Sequence, residues 1–175
     1  MSEQSYSFRA KISGEQLPTF FSNVKVFCPS LEDLYFVCIG TDRSTGDSLG
    51  PLTGTFLKEA GYTQVIGTLD APCDASNLAA RLQQIPKGAT VIAIDACLGR
   101  LTSVGFFQVA NQPLVPGESV GKQLPHVGDF SIAAIVNADG PKKYWILQNT
   151  SLHFVVTMAK HIVIAIQRTY PVSLE

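Results

Sequence analysis

The sequence predicts a single α/β domain: a three-layer α/β/α sandwich around a mainly parallel five-stranded sheet with one antiparallel strand. Three observations carry that expectation. Leu34–Gly40 (LYFVCIG) and Thr90–Ala96 (TVIAIDA) are nearly continuous apolar runs, the pattern of strands covered on both faces. Helical patterns separate successive strand patterns, which implies right-handed crossovers and parallel pairing. Charged residues make up only 15% of 175 positions while hydrophobic ones make up 46%, against roughly 25% charged in an ordinary soluble domain.

In chain order, residues 1–30 read as an irregular N-terminal lead-in with one short helix near Leu17–Val26, and residues 31–175 as the α/β domain. After the first strand comes a polar loop, then a helix over Ser48–Ala60 stopped by Gly61. A second strand is expected at Gln64–Leu69, and a second helix at Ala75–Ile85, closed by Pro86 and Gly88. Thr90–Ala96 is the third strand. Phe106–Ala110 is the fourth, set antiparallel to the third because the link between them is too short for a crossover helix. A long loop from Asn111 to Pro125 leads to an expected helix over Val127–Ala138, a strand at Tyr144–Gln148 and a closing helix over Leu152–Arg168. Loops of that length in compact domains are often functional.

The composition also excludes. Thirteen basic and fourteen acidic residues leave a net charge of −1, with no basic footprint for nucleic acid. The N-terminal residues Met1–Tyr6 lack the basic and apolar regions of a secretory signal. Leu152–Ile166 is interrupted by His153, Lys160 and His161, short of the roughly 20 apolar residues of a membrane span. Four scattered cysteines with no Cys-x-x-Cys pair argue against a zinc site and for reduced thiols in a cytoplasmic setting; Cys38 and Cys97 read as buried core residues.

In a parallel sheet, ligands bind beyond the C-terminal strand ends. The first strand delivers the loop Gly40–Asp47 to that edge and the third ends in Asp95, one of only two charged residues, with Arg100, between Val91 and Gly117. A carboxylate at the end of a buried strand needs a hydrogen bond, a partner or a metal. Connectivity therefore brings Asp47 and Asp95 to one crevice, where two close carboxyls can share a proton as base and acid or hold a divalent metal. Each also has a plainer reading: Asp47 as a first-turn acid, and Asp95 as an acceptor for nearby amides. His126, ending the long loop, is the candidate auxiliary proton carrier or third metal ligand. Gly40 and Asp70 are expected to line the same edge, Asp74 and Asp129 to cap helices, and His153 and His161 to be ordinary helix residues.

The segment Cys38-Ile39-Gly40 through Thr45-Gly46-Asp47-Ser48-Leu49-Gly50-Pro51, together with Val91-Ile92-Ala93-Ile94-Asp95-Ala96, resembles the spore germination protease, whose proposed catalytic aspartates fall at the positions of Asp47 and Asp95. The wider superfamily includes the hydrogenase maturation endopeptidases, in which an acid in the first loop, an aspartate after the third strand and a later histidine bind nickel; the matching positions are Asp47, Asp95 and His126. The similarity spans Leu34–Arg168, and in its short length the chain is nearest to a compact sporulation relative of the germination protease. The resemblance implies the phosphorylase/hydrolase-like fold of the maturation proteases. It implies a sporulation-associated peptidase of aspartic or metal-assisted type, a divalent transition metal as the one candidate cofactor, and protein or peptide substrates such as small spore proteins. Its compartment would be the cytoplasm of the sporulating cell or forespore, without nucleic-acid or membrane partners, and a homo-oligomer is compatible with the sequence.

Two alternatives stand beside that reading. One is a non-catalytic sporulation binding or assembly module that keeps the fold and both acids. The other is a serine hydrolase of the GDSL type, since Gly46-Asp47-Ser48-Leu49 spells that signature with Ser48 as nucleophile. That family needs an Asp-x-x-His pair, and here Gln123, Thr150 and Met158 stand three positions before the three histidines. A phosphate loop is excluded, because the Gly40–Gly46 segment has no Walker lysine.

Overall fold

The computed structural model describes residues 7–116 and 123–173. Its elements are β1 (Arg9–Ile12), α1 (Leu17–Phe27), β2 (Leu34–Cys38), α2 (Leu49–Glu59), β3 (Val65–Ile66), α3 (Leu78–Leu82), β4 (Thr90–Gly99), β5 (Phe107–Ala110), β6 (Phe130–Ala138), α4 (Lys143–Gln148) and α5 (Leu152–Thr169). The strands form one six-stranded sheet in the order β1-β5-β6-β4-β2-β3. Pairings from β6 through β4 and β2 to β3 are parallel. β5 is antiparallel to both its neighbours, so it alone runs against the other strands.

Alternation along each strand divides the core in two. Phe36 and Cys38 of β2, Ile92 and Ile94 of β4, and Ile132 and Ala134 of β6 pack with α1, α2 and α5 on the first face. On the second face Val37, Ile39 and Ala93 pack with Leu78 of α3 and with Leu114 and Val127. α5 is held by a buried stripe that includes Val155, Met158, Ile162 and Ile166, each such side chain contributing roughly 1.5–3 kcal/mol on removal from water. The Ser151 hydroxyl caps its first turn by accepting from the Phe154 amide. No helix of the described residues is long and apolar enough to cross a membrane.

Several expectations are corrected. The sheet has six strands rather than five, because residues 9–12 of the lead-in form β1, which pairs with β5 along its whole length; the helix expected there is α1, which buries Leu17, Phe20, Phe21 and Val24. The expected helix at Val127–Ala138 is the strand β6, and the expected strand at Tyr144–Gln148 is the helix α4. FSIAAIVNA is buried almost throughout because it lies between β4 and β5; an apolar run covered on all sides has no period to separate strand from helix. In α4 only Leu147 is buried, so one face suffices and no neighbouring strand is needed. β5 has the expected direction, but its partner is β6 rather than β4. The second strand shortens to Val65–Ile66 and the second helix to Leu78–Leu82. Of the long loop, residues 111–116 and 123–125 belong to the described chain, where Leu114 bridges Val127; 117–122 lie outside it.

Candidate functional site

Past β2 the chain continues straight for one more residue, the Ile39 amide donating to the Ile94 carbonyl at 2.7 Å and the Gly40 amide to the Cys73 carbonyl at 2.9 Å. It then turns at Gly40, whose φ of +149° belongs to glycine, and where an added Cβ would stand 2.0 Å from the Asp47 carbonyl oxygen. The Thr41 amide donates to that same carbonyl at 3.2 Å, closing the loop on itself. A single 3-10 turn over Gly46–Ser48 carries Asp47 into α2. At Gly50, a Cβ would lie 2.0 Å from the Ile39 carbonyl oxygen, so the start of α2 lies directly on the strand backbone. These two close approaches fix Asp47 above the C-terminal edge of the sheet.

Asp95 arrives from the opposite direction in sequence. It sits in β4, opposite Cα to Cα to Ala133 of β6, just before a register shift between Cys97 and Leu98. Its Oδ1 accepts the Ala96 amide at 2.7 Å. Asp47 and Asp95 line one cleft of about 440 Å³, together with Gly40, Ser44, Asp74 and Tyr144. The structure thus brings together the two acids that the strand order predicts.

Burial pushes the Asp95 carboxyl well above the ordinary carboxylate range; the Ala96 amide opposes the rise and the nearby Asp47 charge adds to it. Asp95 keeps partial solvent contact as a residue, but its carboxyl group is densely surrounded by protein. Burial also raises Asp47, less far, with the neighbouring Ser44 hydroxyl favouring its ionised form. That hydroxyl is itself buried and completes no hydrogen bond of full geometry; its proximity to Asp47 is electrostatic support with bonding capacity to spare. At the rim, Arg43 meets Asp74 at 3.8 Å. The Asp74 Oδ1 accepts both the backbone amide of Ser76, at 2.9 Å, and its hydroxyl, at 2.5 Å.

Other candidates lie elsewhere. Asp70 is on the surface and does not line the cleft; its carboxyl is held below the ordinary range, first by the Thr68 hydroxyl, which donates to it at 2.6 Å. His126 is exposed and does not line the cleft. The reason is local: the antiparallel bridge between Leu114 and Val127 turns Val127 into the core, and its neighbour in an extended segment points the other way. Among the described residues no group of three or more His, Cys, Asp or Glu is placed to hold a metal ion. The set Asp47, Asp95 and His126 therefore does not fit a metal, and two carboxyls remain. Asp129, expected to cap a helix, accepts instead from the Val91 amide at 2.9 Å and pins the start of β4. Ser48 is buried, gives its hydroxyl to the Thr45 carbonyl at 2.6 Å and is absent from the cleft wall, which removes the serine-hydrolase reading. None of the four cysteines is in a disulfide, and Cys97 is half-buried rather than a core residue.

Sequence reasoning missed Ser44, Arg43 and Tyr144 as site residues and took Asp74 for a cap alone. The first two lie inside the loop already singled out, so position was their signal; Tyr144 was hidden by the strand expected there.

In a comparison with solved structures, the fold matches the [NiFe] hydrogenase maturation protease HycI from Thermococcus kodakarensis KOD1, with a TM-score of 0.52 and 19% identity over 78% of this chain and 90% of that one. The chain thus has a hydrogenase-maturation-protease-like α/β fold. Among curated proteins it is 53% identical over 128 residues to the uncharacterized protein YyaC of Bacillus subtilis (strain 168), an alignment covering 70% of this chain and 62% of that protein's length. Across residues 7–165 it matches the family described as "Protein of unknown function (DUF1256)", and to that family it belongs.

Proposed function

We propose that the chain is a peptidase in which Asp47 and Asp95 activate water between them. The observation that carries this reading is the shared cleft: two acids from separate elements face one cavity, and their environments raise Asp95 further than Asp47. Asp95 then holds the proton while Asp47, favoured as the anion by Ser44, acts as the base. Asp47 takes a proton from water as the oxygen attacks the peptide carbonyl carbon, and Asp95 gives its proton to the carbonyl oxygen. Collapse of the tetrahedral species breaks the C–N bond, returns the hydroxyl proton to Asp95 and passes the proton on Asp47 to the leaving amine. The cycle ends with the acids as they began.

The peptidase-like fold supports the reaction class. The resemblance of the Gly46–Pro51 turn and the Ile94-Asp95-Ala96 strand end to the germination protease supports a sporulation-associated role, with small spore proteins as the first substrates to try. Incubating these proteins with wild type, Asp47→Asn and Asp95→Asn tests it. Each substitution is expected to lower the cleavage rate by about 10²–10⁴-fold, the range for general acid–base groups. Absence of cleavage by the wild type removes the peptidase reading.

A further inference from the structure

A second cavity, of about 330 Å³, meets the first at Asp95, which lines both. It runs across the second face of the sheet, away from Asp47. Its floor is Asp95 of β4, Ser131 and Ala133 of β6, and Gln108 and Ala110 of β5, with Arg9 of β1 at the far end. Small side chains on three adjacent strands leave a trough, because α3 packs around Val37, Ile39 and Ala93 instead. The register fixes its length. Asp95 stands opposite Ala133 and Ala133 opposite Gln108, while Arg9 stands opposite Ala110. From β4 to β1 is three strand spacings, on the order of 14 Å, and Arg9 is offset two residues along the strands from the Asp95 row, so the diagonal is on the order of 16 Å. That is close to the span of five extended residues at about 3.3 Å each.

The charges differ along the trough. Lys143 is paired with Asp139 at 3.5 Å, whereas no carboxylate among the described residues pairs with the Arg9 guanidinium. Arg9 is exposed on an edge strand, and a guanidinium is the group best shaped to take a carboxylate through two parallel hydrogen bonds.

We propose that this trough is the second arm of the substrate site, taking an extended peptide segment whose Asp or Glu side chain, about five residues from the scissile bond, is held by Arg9. The position of the scissile bond rests on the peptidase reading above; the occupant's class rests on the trough's span and on a guanidinium with no carboxylate partner among the described residues. Gln108, the remaining long polar side chain on the floor, is positioned to meet the segment's backbone.

The test is binding of fluorescein-labelled decapeptide pools, each with Glu fixed at one position, against the matching pools with Gln there. Polarisation should show at least one Glu pool binding wild type about tenfold more tightly than its Gln counterpart, with the advantage shrinking at high salt. Arg9→Glu should abolish that preference and transfer it to a Lys pool. Ala133→Tyr, which fills the floor without touching Arg9, should weaken both pools together. Asp47→Asn should keep the Glu preference while losing cleavage. Equal binding of Glu and Gln pools, retention of the preference in Arg9→Glu, or no binding of any pool overturns the arm. Cleavage by wild type without a Glu preference leaves the peptidase reading and removes the arm; an Arg9-dependent preference without cleavage keeps the arm and removes the peptidase reading.

Discussion

Asp95 imposes a pH dependence on folding as well as on chemistry. An unfolded aspartate titrates near 3.9, whereas burial lifts the native carboxyl well above that value. Between the two values the folded chain binds more protons than the unfolded one, so stability falls as pH rises through that window. Below it both states are protonated and Asp95 contributes nothing. Asp95→Asn keeps an oxygen to accept the Ala96 amide and removes the ionisation. Urea midpoints measured at several pH values should show the variant equal to wild type near the unfolded pKa, increasingly more stable as pH rises from there towards the native one, and more stable by a constant margin above it. A gap that narrows with rising pH would contradict the buried, raised carboxyl. Asp47 acts in the same direction to a smaller extent, since its own rise is opposed by Ser44.

At the scale of elements, the position of Asp47 depends on the contact between α2 and the strand beneath it. Gly50 and Gly54 lie one turn apart, and added Cβ atoms would stand 2.0 Å from the Ile39 carbonyl oxygen and 1.8 Å from that of Gly67. Backbone oxygens cannot swing aside as side chains do, so Gly50→Ala must lift the helix. Overpacking of this kind costs about 1–3 kcal/mol, readable as a lowered Tm. It should also lower activity more than an equally destabilising change at the far end of α2, because it shifts Asp47 away from Asp95. This contact was partly legible beforehand: the run Gly46-Asp47-Ser48-Leu49-Gly50-Pro51 marked a turn into a helix, and TVIAIDA marked a buried strand with one acid at its end. Those two signals sufficed to pair the acids. β6 and α4 were not legible, because the Ala-containing apolar run of β6 fits either state when every side is covered, and α4 is too short to establish a period. His126 was misplaced for a related reason, since the bridge between Leu114 and Val127 that turns it outward joins residues from either side of a long loop.

For the whole molecule, the sheet order sets a gradient of rigidity from centre to edge. β4 and β6 share the longest pairing and are flanked by β2 and β5, while β3 contributes two residues at one margin and β1 four at the other. Native-state hydrogen exchange should find the slowest amides at Ile92–Ile94 and Ile132–Ile135, opening only with global unfolding, and markedly faster exchange at Val65–Ile66 and Arg9–Ile12. Comparable protection across all six strands would contradict that order. The slow centre contains Asp95 and the fast margin contains Arg9, so the proposed substrate arm joins a fixed end to a yielding one.

The place of β6 has a consequence for how the chain is made. β5 leaves the ribosome before β6, yet apart from β1 its only neighbour in the sheet is β6. Until residue 138 has emerged, β1 and β5 can form only a two-stranded ribbon, which on its own is marginal in water, and the inner flank of β4 stays unpaired. The nascent chain therefore carries two open edges and a strand that must enter between them. Assembly is committed late, by a segment placed three-quarters of the way along, and the acid at the end of β4 gains its final surroundings only at that step.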